Sequence, residues 1–282
     1  MKIPKYWAKG EYSFPNSTYK FIAWKWSDTS LAEAQQLADQ KAREIASIFQ
    51  RRQRPDRYTY GRNPLREEII QSITNPGGNE IGVITRNGYG ALVLNAAKAM
   101  FIDIDFPDAK PGEALARGIG RLFGGQATLS PEQTYLQAIE KWAQVNRGLS
   151  LRVYRTFGGL RCLVTNELFD PAQPTSLALM QSLQSDRLYI TLCKQQECFR
   201  ARLTPKPWRI NFHQPPTRFP WSTPSQEAVY RNWEQEYERA SSHFTTCRLL
   251  KEIGAAQVHP DIAPILATHD RIACTNDALN LA

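Results

Sequence analysis

The apolar run Phe101-Ile-Asp-Ile-Asp105 ends in two aspartates one residue apart. Side chains alternate across a strand, so Phe101, Asp103 and Asp105 share one face, with same-face Cα atoms about 6.5–7 Å apart. Ile102, Ile104 and Phe106 then point the other way, into a core. Two carboxylates held side by side repel each other unless a cation sits between them, and hard oxygen donors suit Mg²⁺ or Mn²⁺. An ion held this way can be pressed against phosphate oxygens. The alternative is an acid that caps the next helix beside one that is merely solvated. Removing either acid is expected to relieve the repulsion and leave the fold intact.

Three further segments carry chemistry. In Tyr154-Arg-Thr-Phe-Gly-Gly-Leu-Arg161, a turn between two strands gathers Thr156, Gly158, Gly159 and Arg161. Glycines allow close backbone approach to a phosphate and a guanidinium can clamp its oxygens, although Gly-Gly is equally a plain hairpin turn. Asp186, in Ser185-Asp-Arg-Leu-Tyr-Ile190, is either a third carboxylate at the mouth of a strand or a local cap. Between Cys198 and Arg209, Arg200 and Arg202 alternate on one face of a strand, followed by Pro205-Lys206-Pro207, Trp208 and Arg209. Cations beside an exposed aromatic suit a nucleic-acid backbone with a stacked base. A buried Trp208 with arginines paired to local acids is the other reading. Cys193 and Cys198 with His259 and His269 match no common zinc spacing, and His269-Asp270 is a single dipeptide.

The elements that must position these residues are legible in outline. Phe21–Trp26 reads as a strand, and Ser30-Leu-Ala-Glu33 opens a helix as a capping box. Its apolar face is expected at Leu31, Ala34, Leu37, Ala38, Ala42, Ile45 and Ile48. Leu65–Ile73 reads as a short helix. Strands are expected at 81–84, 91–94, 99–105, 151–155, 160–164 and 188–193, with helices from Ser130 and around 176–183. The helix from Ser130 has proline at its first position and carries Tyr135, Ile139, Trp142 and Val145. A proline-rich connection spans 205–224, and everything from Thr223 onward reads as helical.

Taken in order, the motifs resemble those of the archaeo-eukaryotic primase (prim-pol) superfamily over about residues 80–210. That family places Asp-x-Asp at the end of an apolar strand, a Thr/Ser-Gly-Gly-x-His-like strand pair after it, and a later acid by a strand. Phe101–Asp105, Thr156–Arg161 and Asp186 match these in turn, with Arg161 standing where the family has histidine. The resemblance implies a mixed or antiparallel central sheet of primase-polymerase (RRM-like) type flanked by helices. It also implies metal-dependent nucleotidyl transfer, with Asp103, Asp105 and Asp186 catalytic and metal-holding. Partners would be nucleic acid and a nucleoside triphosphate. A guanidinium at 161 can hold phosphate but cannot cycle a proton near neutral pH. A non-catalytic nucleotide or nucleic-acid binding module and a metal-dependent nuclease are the alternatives.

The 282 residues are enough for a sizeable core, and 42 % apolar with 22 % charged residues excludes a disordered chain. The expected class is α+β, divided as 1–78 (strand and helix packed on the core), 79–210 (primase-like core) and 211–282 (connection and helical appendage). Thirty-five Lys plus Arg against 27 Asp plus Glu leave +8, which favours polyanionic partners. The basic residues cluster at Lys41, Arg43, Arg51, Arg52, Arg54, Arg57, Arg62 and Arg66, and again at Arg200–Arg218. No run is long and apolar enough for a membrane span, and the N-terminus lacks a signal-like apolar region. Five scattered cysteines make no disulfide framework, so a reducing cytoplasm is expected.

Overall fold

The computed structural model describes residues 1–15, 17–51, 64–107 and 129–282. Arg52, Arg54, Arg57 and Arg62 of the first basic cluster therefore lie outside the described residues. The chain is α+β, with antiparallel sheets and six α-helices among the described residues.

The first unit is a hairpin, β1 (Tyr6–Tyr12) and β2 (Phe21–Ser27), covered by helix α1 (Leu31–Gln50). Ser30 caps α1 by accepting from Glu33 N, as expected. Only half of the capping box forms, because the Glu33 carboxylate is taken by Ser27 Oγ. The buried face is the alanine stripe Ala34, Ala38, Ala42 and Ala46, while Leu31 and Leu37 are exposed. Close approach decides this. A Cβ on Gly10 of β1 would lie 2.2 Å from the Ala38 carbonyl, so larger residues would push the helix off the hairpin.

Two four-stranded antiparallel sheets form the body. The first runs β11-β7-β8-β6, built from β6 (Phe101–Asp105), β7 (Leu151–Thr156), β8 (Gly159–Val164) and β11 (Cys247–Ile253). The second runs β3-β4-β5-β9, from β3 (Glu68–Thr74), β4 (Glu80–Arg86), β5 (Leu92–Ala96) and β9 (Phe199–Arg202). Edge strands β6 and β9 abut without a ladder. Tyr189 Oη lies between them, 2.9 Å from Phe101 O and 3.0 Å from Arg200 O. One continuous core joins Ile84 and Leu94 of the second sheet to Ile102, Ile104 and Leu160 of the first.

Helices α2 (Pro131–Val145), α3 (Pro174–Ser182), α4 (Arg187–Gln196), α5 (Pro224–Ser241) and α6 (Ala263–Ala273) complete the body. A short parallel pair, β10 (Phe244–Thr245) and β12 (Asn280–Leu281), lies near the end of the chain. The capping box of Ser130 and Gln133 opening α2 is complete. Along that helix Ile139 is buried whereas Val145 is exposed.

Three expected elements differ. Leu65–Ile73 is not a helix; its second half belongs to edge strand β3, where Ile73 alone is buried, so no clean alternation marks it. Leu188–Cys193 is not a strand but lies in α4, whose buried residues Ile190, Cys193 and Gln196 recur every three positions. The region after Thr223 is not wholly helical: β11 pairs with β7 as a largely exposed edge strand. Because β11 belongs to the first sheet and Ile262 and Ile265 to the main core, 211–282 is no appendage. Likewise β3 pairs with β4, so a boundary at 78 would cut the second sheet.

Candidate functional site

Three elements converge on the C-terminal end of β6. The hairpin of β7 and β8 reaches it first, with Gly159 opposite Asp105 and Phe106 N donating to Gly158 O at 2.9 Å. The N-terminus of α4 is the second: Asp186 N and Ser185 Oγ both donate to Asp103 O, at 3.0 and 2.8 Å. The third is the short 3₁₀ turn Pro207–Ile210 after β9, where the Arg209 guanidinium lies 4.4 Å over the Phe157 ring. Along the acidic face of β6 exposure rises stepwise. Phe101 is buried against His269, Asp103 is half-buried and Asp105 is exposed.

Electrostatics ties these groups together. Partial burial pushes the Asp105 carboxyl up, and the charges of Asp103 and Asp186 push it further, against the pull of Lys206 and Arg209. Burial lowers both Lys206 and Arg209, and mutual repulsion among Arg202, Lys206 and Arg209 adds to the effect at Lys206. The structure thus gathers Asp103, Asp105, Asp186, Lys206 and Arg209 around one end of β6. Among the described residues the buried Arg209 Nη1 has no hydrogen-bond partner, and it lies beside that patch. The three acids do not close into a tight cage. Among the described residues, one group of three candidate ligands has its atoms within 4.8 Å of each other, and it is His269, Asp270 and Cys274.

Several expected roles change. Arg161 is not a phosphate clamp: it is 2 % exposed, and its Nε donates to Asp103 Oδ1 at 2.9 Å while Nη1 donates to Arg202 O. The sheet register imposes this, because Asp103 and Arg161 are cross-strand partners. Asp103 therefore cannot be removed without stranding a buried charge. Thr156 is buried. Gly159 is a packing glycine, since a Cβ there would lie 1.9 Å from Ile104 O. Gly158 stays open, and the cation beside it is Arg209. Asp186 caps α4 through Tyr189 N at 2.7 Å.

Arg200 is buried against Glu67 (2.8 and 3.0 Å) and Asn95 (2.6 Å), so it does not face a polyanion. Arg202 is half-buried, bonded to Thr204 O, and lowered to about 10 by burial and by neighbouring Arg209 and Arg161. Trp208 is 45 % exposed, with Lys206 Nζ 5.4 Å over its ring and Tyr89 edge-on at 5.1 Å. With Phe157 and Tyr89, it makes an exposed aromatic patch beside the two cations.

Behind the patch lies a network that the motifs did not single out. His269 Nδ1 is 2.9 Å from Asp270 Oδ1, which also accepts from Tyr154 Oη at 2.8 Å, and Arg152 holds the other carboxylate oxygen. His269 Nε2 lies 3.4 Å from Arg161 Nη1 and 3.9 Å from Cys247 Sγ. The adjacent His269-Asp270 with Cys274 four residues on was a visible signal; the arrival of Cys247 and Arg161 was not.

No protein-family model, curated protein or solved structure matches this chain.

Proposed function

We propose that the chain carries a nucleotidyl-transfer site of primase-polymerase type at the end of β6. The observation that carries this reading is the gathering of Asp103, Asp105 and Asp186 opposite Lys206 and Arg209, with Phe157 and Trp208 exposed beside them. Oxygen donors alone fit Mg²⁺ or Mn²⁺, and such ions usually take only one or two carboxylates plus substrate phosphates and water. An open acidic pair suits that habit better than a closed cage would. Asp103 and Asp105 would hold the ion, which supplies charge neutralisation at a triphosphate.

The protein's own groups supply the rest. Arg161 fixes the Asp103 carboxylate through Oδ1 and leaves Oδ2 for a ligand. Asp186 adds negative charge from the α4 cap. Arg209 and Lys206 meet phosphate oxygens at the Gly158 turn, Arg209 with an Nη1 that has no partner among the described residues. Phe157 and Trp208 offer ring faces to bases. Among the described residues no histidine lies at the patch to cycle a proton near pH 7, since His269 is buried behind Arg161. Transfer would rest on positioning and electrostatics.

The second reading is a binding module of the same fold, favoured by the Asp103–Arg161 ion pair, which already neutralises one of the acids. Calorimetric Mn²⁺ titration with a non-hydrolysable triphosphate, paired with primer extension, separates the two. Nucleotidyl transfer requires extension that Asp105→Asn abolishes together with Mn²⁺ binding. Triphosphate binding without extension on any template supports the module, and unchanged Mn²⁺ affinity in Asp105→Asn refutes the metal site.

A further inference from the structure

The end of α6 gathers three unlike donor atoms. Among the described residues, a ring nitrogen of His269, a carboxylate oxygen of Asp270 and Cys274 Sγ lie within 4.8 Å of one another. The helix places them. Asp270 and Cys274 are four residues apart, and Cys274 N donates to Asp270 O at 3.0 Å across the last turn. The His269 ring is packed against Phe101 and Tyr154, with centroids 5.2 and 4.8 Å away. That ring is buried, whereas Asp270 and Cys274 are half-buried, so solvent reaches the cluster from their side.

His269 Nδ1 and Asp270 Oδ1 face each other at 2.9 Å, so a cation, either a proton or a metal, must sit between them. The far side of the ring suits the metal. Both hydrogens of Arg161 Nη1 have acceptors of their own, Arg202 O at 2.9 Å and Cys247 Sγ at 3.5 Å. Nε2 is therefore free to carry a hydrogen and aim it at Cys247 Sγ, 3.9 Å away, which leaves the lone pair on Nδ1. A bridging proton makes no use of the Cys274 sulfur; a metal does. We propose that His269 Nδ1, Asp270 Oδ1 and Cys274 Sγ bind one Zn²⁺ at the end of α6, with solvent in the fourth position.

The donor set selects the ion. Imidazole, thiolate and carboxylate together suit zinc, whereas Mg²⁺ and Mn²⁺ prefer oxygen. Tetrahedral zinc spaces such ligand atoms about 3.4–3.6 Å apart, so side-chain shifts of about 1 Å complete the site. The carboxylate and the thiolate together neutralise the ion's two charges. Each nearby guanidinium has a carboxylate outside the cluster, Arg161 with Asp103 and Arg152 with Glu252. The carboxylate is also supported from behind: Tyr154 Oη donates to Asp270 Oδ1 at 2.8 Å, and Arg152 holds Oδ2. Outer contacts of this kind orient a ligating group. The C-terminal end of a helix adds partial negative charge that favours a cation. The neighbouring Cys247 and burial push the Cys274 thiol up. A coordinated divalent ion overrides this, because a thiol bound to it is deprotonated outright and the proton leaves to solvent.

The test strips the tag-free chain with a chelator, then titrates it with Zn²⁺ by calorimetry and with Co²⁺ by absorption spectroscopy. One equivalent should bind per chain, and the cobalt form should show the intense visible bands of a tetrahedral site with a thiolate-to-cobalt charge-transfer band. Cys274→Ser, at a half-buried helix cap, should keep the circular dichroism of the wild type and lose the charge-transfer band. Tyr154→Phe keeps all three ligands, so it should keep the band while weakening zinc about 10–100-fold. Asp105→Asn should change neither band nor stoichiometry, which separates this site from the patch at the end of β6. Absence of zinc binding, a cobalt spectrum without the sulfur band, or a band that survives Cys274→Ser overturns the proposal.

Discussion

Asp103 and Asp105 are two residues apart on one strand, yet their removal should have opposite effects on stability. Among the described residues Asp103 is the one carboxylate bonded to Arg161, and that guanidinium is 2 % exposed. Asp103→Ala leaves the charge buried and uncompensated, a change that costs about 3–5 kcal/mol in comparable sites. Arg161 keeps its bond to Arg202 O and its contact with Cys247, which places the expected loss near the lower end, about 3 kcal/mol. With a urea m-value of about 3 kcal/mol/M, the midpoint should fall by about 1 M. Asp105→Ala removes an exposed acid that its neighbours already repel, so its midpoint should hold or rise. Adding Arg161→Met to Asp103→Ala replaces the stranded cation with an apolar side chain and should recover much of the loss. Urea titration of the wild type and the three variants, followed by circular dichroism, makes the comparison. A loss below 1 kcal/mol in Asp103→Ala, or an equal loss in Asp105→Ala, would refute the reasoning.

Three other outcomes are expected. Asp105 has a raised pKa in the folded chain, so its ionised form opposes folding: the penalty is full above the folded pKa and absent below the ordinary value of 3.8. Asp105→Asn should therefore be more stable than wild type at pH 7, with the gain fading as pH falls towards 4 in thermal melts. Gly159→Ala puts a Cβ 1.9 Å from Ile104 O, and the forced shift of β8 from β6 should cost about 1–3 kcal/mol, read as a lower Tm. If Lys206 and Arg209 each contact one phosphate, changing both to glutamine should reduce the salt slope of single-strand binding by about 1.4. Arg200→Gln should instead leave that slope unchanged while lowering stability, because its partners are Glu67 and Asn95.

What neighbours along the chain decide was readable from the chain. Ser30 and Ser130 cap helices because a hydroxyl at the N-cap can reach a backbone N–H three residues on. The Gly158-Gly159 turn and the alternation of β6 follow from equally local rules, and they put Asp103 and Asp105 on one face. Edge strands β3 and β11 escaped because a strand with little burial has no apolar alternation to show. Asp186 was readable as an acid but not as the cap of α4, since a short apolar run suits helix and strand alike. The charges were the part that only tertiary structure settled. Arg161 meets Asp103 through sheet register, and Arg200 meets Glu67 across 133 positions of sequence, so both leave the surface on which their types placed them. Arg209 and Lys206 stay at the patch because the 3₁₀ turn after β9 presents them to Asp105 rather than to a buried carboxylate. A guanidinium's role follows from which anion reaches it first in the folded chain, and no spacing along the sequence encodes that distance.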